Sequence, residues 1–163
     1  MDETEIIIEP GKQDVVFKRT FDAPRDIVFR ALTDPTLIPS WWGPRKYETI
    51  VDVMEPRPGG RWRFLNRNPE TGEEFGFHGV FHTVTPDLVV QTNEFEGFPG
   101  VPALEWMTLE ETEGKTLLTA VSLAPSVEVR DMVVATGMES GARETYDRLD
   151  EVIQGLVGQR ATA

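Results

Sequence analysis

A long β-rich stretch that passes directly into one long amphipathic helix organises this sequence. Between residues 47 and 123 the chain divides into short alternating runs separated by turn-forming residues, which is typical of antiparallel strands. From residue 126 to about residue 157 the apolar residues recur at helical spacing instead. A helix with one apolar stripe must pack on an apolar surface. We therefore expect a curved sheet that closes around this helix and encloses an apolar pocket.

The candidate strands are bounded by clusters of Gly, Pro, Asn and Asp, and they span residues 47–54, 61–66, 74–84, 89–95, 103–111 and 115–123. An earlier alternating run, 15–21, predicts a first strand. Two short helices are expected next, one from Asp22 to Asp34 and one over about 35–41. The predicted fold is of the α+β class. It is a helix-grip fold in which a curved seven-stranded antiparallel sheet surrounds a long C-terminal helix, with the two short helices between strands 1 and 2.

The length of the chain supports one domain. Its 163 residues, of which 39% are hydrophobic, are enough for one sizeable core and too few for two ordinary domains. We expect this domain to span residues 15–157. An N-terminal tail, 1–14, would precede it, and a C-terminal tail, 158–163, would follow it.

Composition argues against several classes of partner and chemistry. The formal net charge is -12, whereas binding to nucleic acid needs a basic surface. The chain has no cysteine, which excludes disulfides and a thiolate nucleophile and is typical of the reducing cytoplasm. The N-terminus is acidic, and no apolar run approaches the roughly 18 residues of a membrane span. We expect a cytoplasmic protein that neither binds nucleic acid nor inserts into a membrane.

Several strings, taken in order, resemble one protein family. They are FDAPRDIVFRALTDP (21–35), WWGPR (41–45), RPGGRWRF (57–64), HGVFHTVTPD (78–87), VVQTNEFEG (89–97) and GMESGARETYDRLDEV (137–152). The sequence resembles the bacterial proteins similar to the activator of the heat-shock protein 90 ATPase, in the START-like (SRPBCC) superfamily. The resemblance implies the helix-grip fold. It leaves function open, because lipid carriers, hormone receptors, polyketide cyclases and co-chaperone domains share this fold.

Large apolar side chains supply material for a ligand cavity. The alternative for any one of them is ordinary core packing. With Glu105 added, the expected ligand-binding residues are Trp41, Trp62, Phe64, Phe77, Phe81, Phe95, Glu105, Met107, Met132 and Met138.

Glu105 is the acid of most chemical interest. If it faces inward with Met107 and Leu109, its pKa should rise, and it could act as an acid, a base or a ligand anchor. If Leu104 and Trp106 face inward instead, Glu105 is solvated. The pattern leaves both orientations open, because a one-residue bulge reverses every inward assignment downstream.

No metal or cofactor site is expected. His78 and His82 are the only histidines, and on one strand they would lie roughly 13 Å apart, too far to share a zinc ion. The sequence also contains no GxSxG elbow, no HExxH and no glycine-rich phosphate loop.

The predicted function is the binding of a hydrophobic or amphipathic small molecule between the sheet and the C-terminal helix, with no established catalysis. One alternative is an enzyme similar to polyketide cyclases or dehydratases, with Glu105 transferring protons. Another is a partner that regulates a chaperone ATPase, as the family resemblance implies. Against it, the residues before Val15 leave no room for the separate chaperone-binding domain of the eukaryotic co-chaperone. The sequence leaves a homodimer open.

Overall fold

Eight antiparallel strands form one sheet in the computed structural model, which describes residues 3–162. The strands are β1 (Glu5–Ile7), β2 (Asp14–Phe21), β3 (Glu48–Met54), β4 (Arg61–Arg67), β5 (Glu74–Thr85), β6 (Leu88–Phe95), β7 (Ala103–Thr112) and β8 (Lys115–Leu123). Their order across the sheet is β1-β2-β8-β7-β6-β5-β4-β3. The strands from β3 to β8 therefore follow one another as a meander, and β2 pairs with the last of them.

Three helices accompany the sheet: α1 (Arg25–Thr33), α2 (Val127–Ala135) and α3 (Met138–Thr162). A single 3-10 turn, Ile38–Ser40, follows α1. Together with the sheet, these elements confirm the predicted α+β helix-grip fold with a long C-terminal helix.

The sheet has one face toward the helices and one toward solvent. Strand β4 shows this alternation clearly: Trp62, Phe64 and Asn66 are buried, while Arg61 and Arg67 are exposed. Successive side chains of a strand point to opposite faces. The alternation of apolar and polar residues from which the strands were predicted therefore matches the alternation of buried and exposed side chains in the folded sheet.

The packed core occupies one end of the space between sheet and helices. From Leu149 onward, α3 packs on this core. Leu149, Ile153 and Leu156 are buried against side chains from α1 and the sheet, which include Ile27, Val28, Ala31, Leu32, Phe21, Leu109 and Leu118. Residues 138–148, at the start of α3, include no fully buried residue. One apolar stripe thus serves two purposes along its length, because its later residues fill a core and its earlier ones face open space.

The two ends of the chain differ from the prediction. The sequence placed residues 5–7 in an N-terminal tail, but they form β1, which pairs with β2 in the register Ile6↔Phe17. This raises the number of strands from the expected seven to eight. The buried Thr4 holds the segment in place, because its hydroxyl and its carbonyl accept hydrogen bonds from Arg19 and Arg143.

At the other end, α3 continues to Thr162, through most of the expected tail 158–163. Of the two predicted tails, residues 1, 2 and 163 lie outside the described part of the chain.

Two helical segments also differ from the prediction. The stretch from 126 to 157 divides into α2 and α3 at Gly137, whose φ of 82° is a conformation that residues with a Cβ atom rarely adopt. The expected helix at 35–41 is reduced to the 3-10 turn. Pro39 lies within this turn, and it has no N–H to donate to an α-helical hydrogen bond.

A buried arginine fixes α3 on the sheet. Arg19 of β2 has a side chain only 3% exposed, and its guanidinium lies 2.6 Å from Asp147 Oδ1 and 3.2 Å from Asp150 Oδ2 on α3. A buried charge needs such partners, because transfer from water into the protein interior is costly. This pairing sets the height of α3 above β2.

Replacing both Asp147 and Asp150 with asparagine is expected to lower the free energy of unfolding by about 3 kcal/mol, because the Arg19 charge stays buried without a counter-charge. Urea unfolding followed by circular dichroism measures the change. The control is Glu151→Gln, which breaks the ion pair of two exposed side chains, Glu151 and Arg45, and should leave the midpoint nearly unchanged. A double variant as stable as the wild type would contradict this role of Arg19.

Candidate functional site

Two adjoining chambers lie between the sheet and the helices. The inner chamber has a volume of about 390 Å³ and is bordered by the sheet, the segment 41–44 and the first half of α3. The outer chamber has a volume of about 430 Å³ and lies between the ends of β6 and β7, the loop that joins them, and α2. Both chambers are lined by Phe77, Asn93, Glu105 and Ser122. These four residues therefore form the boundary between the chambers.

The inner chamber has an aromatic wall centred on Trp42. The Trp42 ring lies 5.2 Å from Phe64, 5.1 Å from Phe77 and 6.3 Å from Trp62, each in an edge-to-face arrangement. Edge-to-face contacts are favoured because the positive edge of one ring meets the negative face of another. The contacts hold these large side chains in fixed positions around the chamber.

Trp62 reaches across the sheet because a glycine stands beside it. Gly79 of β5 is its cross-strand neighbour, and a Cβ atom at Gly79 would lie 2.6 Å from Trp62 Nε1 and 1.8 Å from the Thr92 carbonyl oxygen. Without that atom, Trp62 Nε1 donates a hydrogen bond to Thr92 O at 3.1 Å. The indole therefore extends across β5 and is hydrogen-bonded to β6.

The first half of α3 lies opposite the sheet, across the inner chamber. Met138, Ala142, Thr145 and Tyr146 line it from the helix. The Tyr146 ring stacks on Phe17 of β2, with ring centroids 5.8 Å apart. Helix and sheet thus touch at the edge of the chamber and leave its centre free of side chains.

Glu105 is the acidic residue of the chamber boundary. It lies between Gln91 of β6 and Ser122 of β8 in the sheet register, and Gln91 Nε2 donates a hydrogen bond to Glu105 Oε1 at 3.0 Å. Burial raises the pKa of Glu105, and hydrogen bonds from Gln91 and Asn93 oppose that rise only in part. The accessible part of the side chain faces the chambers, so Glu105 presents a carboxyl group to whatever they contain.

Tyr146 provides a second polar group on the chamber wall. Burial, and to a lesser extent the charge of Glu105, raise the pKa of the Tyr146 phenol above its usual range. The hydroxyl therefore stays protonated and can donate a hydrogen bond.

Positive charge is scarce at this site. Among the described residues that line the inner chamber there is no lysine or arginine. Arg130 lines the outer chamber, but its guanidinium already donates to the carbonyl oxygens of Asp14 at 2.9 Å and Glu9 at 2.8 Å. An anionic group in the chambers would thus find no free cation among the described residues that line them.

The outer chamber has an apolar rim at the protein surface. Phe95, Phe98, Met132 and Val133 line this chamber and are all exposed, with Phe98 at 47% and Met132 at 51%. The loop between β6 and β7 carries Gly97, Gly100 and two prolines. This rim is the side on which the outer chamber meets solvent.

An ion-pair cluster on the opposite face of the sheet supports the loop. Arg63 donates two hydrogen bonds of 2.8 Å to Glu96, and His78 Nδ1 lies 2.9 Å from the same carboxylate. Arg63 first, and then His78, lower the pKa of Glu96 to about 2. Glu96 immediately precedes the loop, so this cluster anchors the end of β6.

The two histidines lie away from the chambers. His78 belongs to the Glu96 cluster, and His82 Nδ1 lies 2.7 Å from Thr83 Oγ1. Across residues 3–162, no group of three or more His, Cys, Asp or Glu side chains is arranged to hold a metal ion. The helices in this range also lack the combination of length and hydropathy needed to cross a bilayer.

The residues expected to bind ligand all lie on chamber walls. The inner chamber contains Trp41, Trp62, Phe64, Phe81, Met107 and Met138; the outer one contains Phe95 and Met132; Phe77 and Glu105 face both. Their contact with a ligand stays a prediction.

Several residues that line the inner chamber were not predicted from the sequence: Phe17, Gln91, Asn93, Ser122 and Tyr146. The positions of Gln91 and Asn93 on β6 could have been predicted, since these residues alternate with Phe95, which was expected to face inward. The position of Tyr146 could not have been predicted, because it follows from a contact with Phe17.

The strand order and the long C-terminal helix define a helix-grip fold with two chambers between sheet and helices. The sequence matches the family described as activator of Hsp90 ATPase homolog 1-like protein over residues 22–154. The chain belongs to this family, which is a START-like (SRPBCC) family.

Solved structures agree with this assignment. A protein from Rhodobacter sphaeroides is 29% identical, with 94% of this chain and 99% of that chain covered and a TM-score of 0.85. A protein from Arthrobacter aurescens is 24% identical, with 93% and 91% covered and a TM-score of 0.84. DynU16, from the dynemicin biosynthetic locus, is 20% identical, with 88% and 48% covered and a TM-score of 0.65. The latter two show the fold alone. No curated protein matches the chain.

The free energy of unfolding of the Glu105→Gln variant, relative to that of the wild type, is expected to increase as the pH rises. The pKa of Glu105 is raised above its ordinary value of 4.5, so the unfolded chain loses this proton at a lower pH than the folded chain does. Between those two pKa values, rising pH therefore lowers the free energy of unfolding of the wild type. Glutamine has no proton to lose and avoids this decrease.

Urea unfolding of the wild type and Glu105→Gln at about pH 4 and about pH 7 measures the difference. The control is Glu110→Gln at an exposed position of the same strand. An equal effect of Glu105→Gln at both pH values would show that Glu105 is solvated.

Proposed function

We propose that the protein binds a hydrophobic or amphipathic small molecule in the chambers between the sheet and the helices. One observation carries the proposal: about 390 Å³ between the sheet and α3 is bounded mainly by apolar side chains and filled by none of them. Small-molecule sites of proteins have volumes of this size and walls of this kind. Proteins are otherwise close-packed, because side chains that border a gap lose dispersion contacts.

The outer chamber supports the proposal because it offers a route from solvent. It adjoins the inner chamber at Glu105 and reaches the surface at the apolar rim of Phe95, Phe98, Met132 and Val133. Exposed apolar patches of this kind are common where proteins take up apolar molecules. A ligand would leave water at the rim and pass the four boundary residues on its way to the aromatic wall.

A cavity-filling variant tests the proposal. Ala120 lies on the inner face of β8, with Phe17 and Met107 as its cross-strand neighbours, and it lines the inner chamber. Ala120→Phe places a ring in that chamber, so it should weaken the binding of Nile red, an uncharged apolar dye, by about tenfold or more, which corresponds to about 1.4 kcal/mol. Fluorescence titration measures the affinity.

The same substitution at an exposed position is the control. Ala161→Phe near the end of α3 lies outside both chambers and should leave the affinity unchanged. Ala142→Phe fills the inner chamber from the helix side. It replaces Ala120→Phe as the cavity-filling variant if Ala120→Phe does not fold. Equal affinity of the wild type and both cavity-filling variants, each shown to be folded, would contradict binding in the inner chamber.

A second candidate function is proton-transfer catalysis, which the buried Glu105 favours. A carboxyl group with a raised pKa that faces an apolar chamber is suited to act as a general acid or base. A related fold also occurs in DynU16, a protein of a biosynthetic locus. If the protein catalyses proton transfer, it should introduce deuterium into its bound molecule in deuterated water, and Glu105→Gln should abolish this. Full exchange by the variant would exclude Glu105 as the catalytic group.

A further inference from the structure

We infer that the preferred ligand is an uncharged molecule with a hydrogen-bond-accepting oxygen near its middle and an apolar arm on each side. This inference rests on the proposed binding function and specifies its ligand. The position of Glu105 carries it, because this residue lies at the boundary of two mainly apolar chambers and lines both. A molecule that fills both chambers must place its central atoms beside Glu105.

The boundary offers hydrogen-bond donors. Glu105 in its protonated form donates through its carboxyl hydrogen, and the Tyr146 hydroxyl donates as well. Gln91 and Asn93 add side-chain amides on the same chamber wall. Burial raises the pKa of Glu105 and of Tyr146, which favours the protonated, hydrogen-bond-donating form of each side chain. A ketone, ester or ether oxygen matches this set, because each of them can accept a hydrogen bond and carries no charge.

Charge makes anionic ligands unfavourable. The described lining of the inner chamber contains no lysine or arginine, and the Arg130 guanidinium at the outer chamber is bonded to two backbone carbonyls. A buried carboxylate or phosphate without a cation is strongly disfavoured. The chambers should therefore discriminate against acids whose apolar part is otherwise suitable.

Each chamber offers an apolar surface for one arm of the ligand. In the inner chamber the surface is formed by Trp42, Phe64 and Met107. In the outer chamber it is formed by Phe95, Val129 and Met132. Because apolar surface lies on both sides of Glu105, a ligand with its polar group at one end would bury only one arm when that group reaches the donors.

Three probes with the same number of carbon atoms separate these effects. Dihexyl ketone has its carbonyl at the middle of the chain, methyl undecyl ketone has it next to one end, and tridecanoic acid ends in a carboxylate. Competition with Nile red measures their affinities at neutral pH. We expect dihexyl ketone to bind about tenfold more tightly than methyl undecyl ketone, and the acid to bind more weakly than either.

Variants at Glu105 assign the preference to this residue. Glu105→Leu keeps the approximate size of the side chain and removes its donor, so the preference for dihexyl ketone over methyl undecyl ketone should decrease. Glu105→Gln retains a side-chain donor and should keep most of the preference. A purely structural role of Glu105 would change all three affinities together and would not affect the ratio between the isomers.

Equal affinities of the two ketones for the wild type, with tight binding of both, would overturn the inference and leave the proposed function intact. Tighter binding of tridecanoic acid would overturn it as well. If none of the probes binds and Nile red does not bind either, the proposed binding function itself fails.

Discussion

The packing of the second half of α3 on the core determines whether this protein has a cavity. Leu149, Ile153 and Leu156 are buried against α1 and the sheet, and Arg19 holds the middle of the helix through Asp147 and Asp150. A helix is stiff along its axis, so these contacts also fix the distance between its first half and the sheet. The inner chamber is the space that remains at the end where the core stops.

The polar boundary across this apolar space has an energetic cost. Gln91, Glu105 and Ser122 are neighbours on three adjacent strands, where apolar side chains would pack without loss of hydration. The hydrogen bond from Gln91 to Glu105 offsets only part of that loss. Natural proteins depart from an apolar interior mainly at functional sites. This is the physical reason to propose that the boundary, rather than the aromatic wall, would select a ligand.

Much of the fold could be predicted from the sequence, because alternation and helical periodicity report burial directly. The β4 pattern and the α3 stripe both appear in the structure as expected, and the family resemblance is confirmed by the match over residues 22–154. Strand β1 was missed because a three-residue strand has too few positions to show alternation, and its pairing depends on contacts of Thr4 with distant arginines.

The candidate site was harder to predict than the fold. The orientation of Glu105 depends on strand parity, and the register shifts by a bulge between Phe81 and Thr83 in the β5–β6 pair. Such a shift cannot be located from residue types alone. The contact between Phe17 and Tyr146 joins residues far apart in the sequence. The chambers themselves depend on how far α3 stands from the sheet, which no local pattern specifies.

Native mass spectrometry of the protein purified from its own host tests the central claim that the chambers hold a small molecule. The sample is compared with the same preparation after denaturation and extraction. A bound small molecule should appear as a stoichiometric additional mass that disappears on denaturation and is recovered in the extract as an uncharged, largely apolar compound. A protein with the mass of its chain alone in the native spectrum, under conditions that preserve complexes of apolar ligands in control proteins, would contradict binding in the chambers.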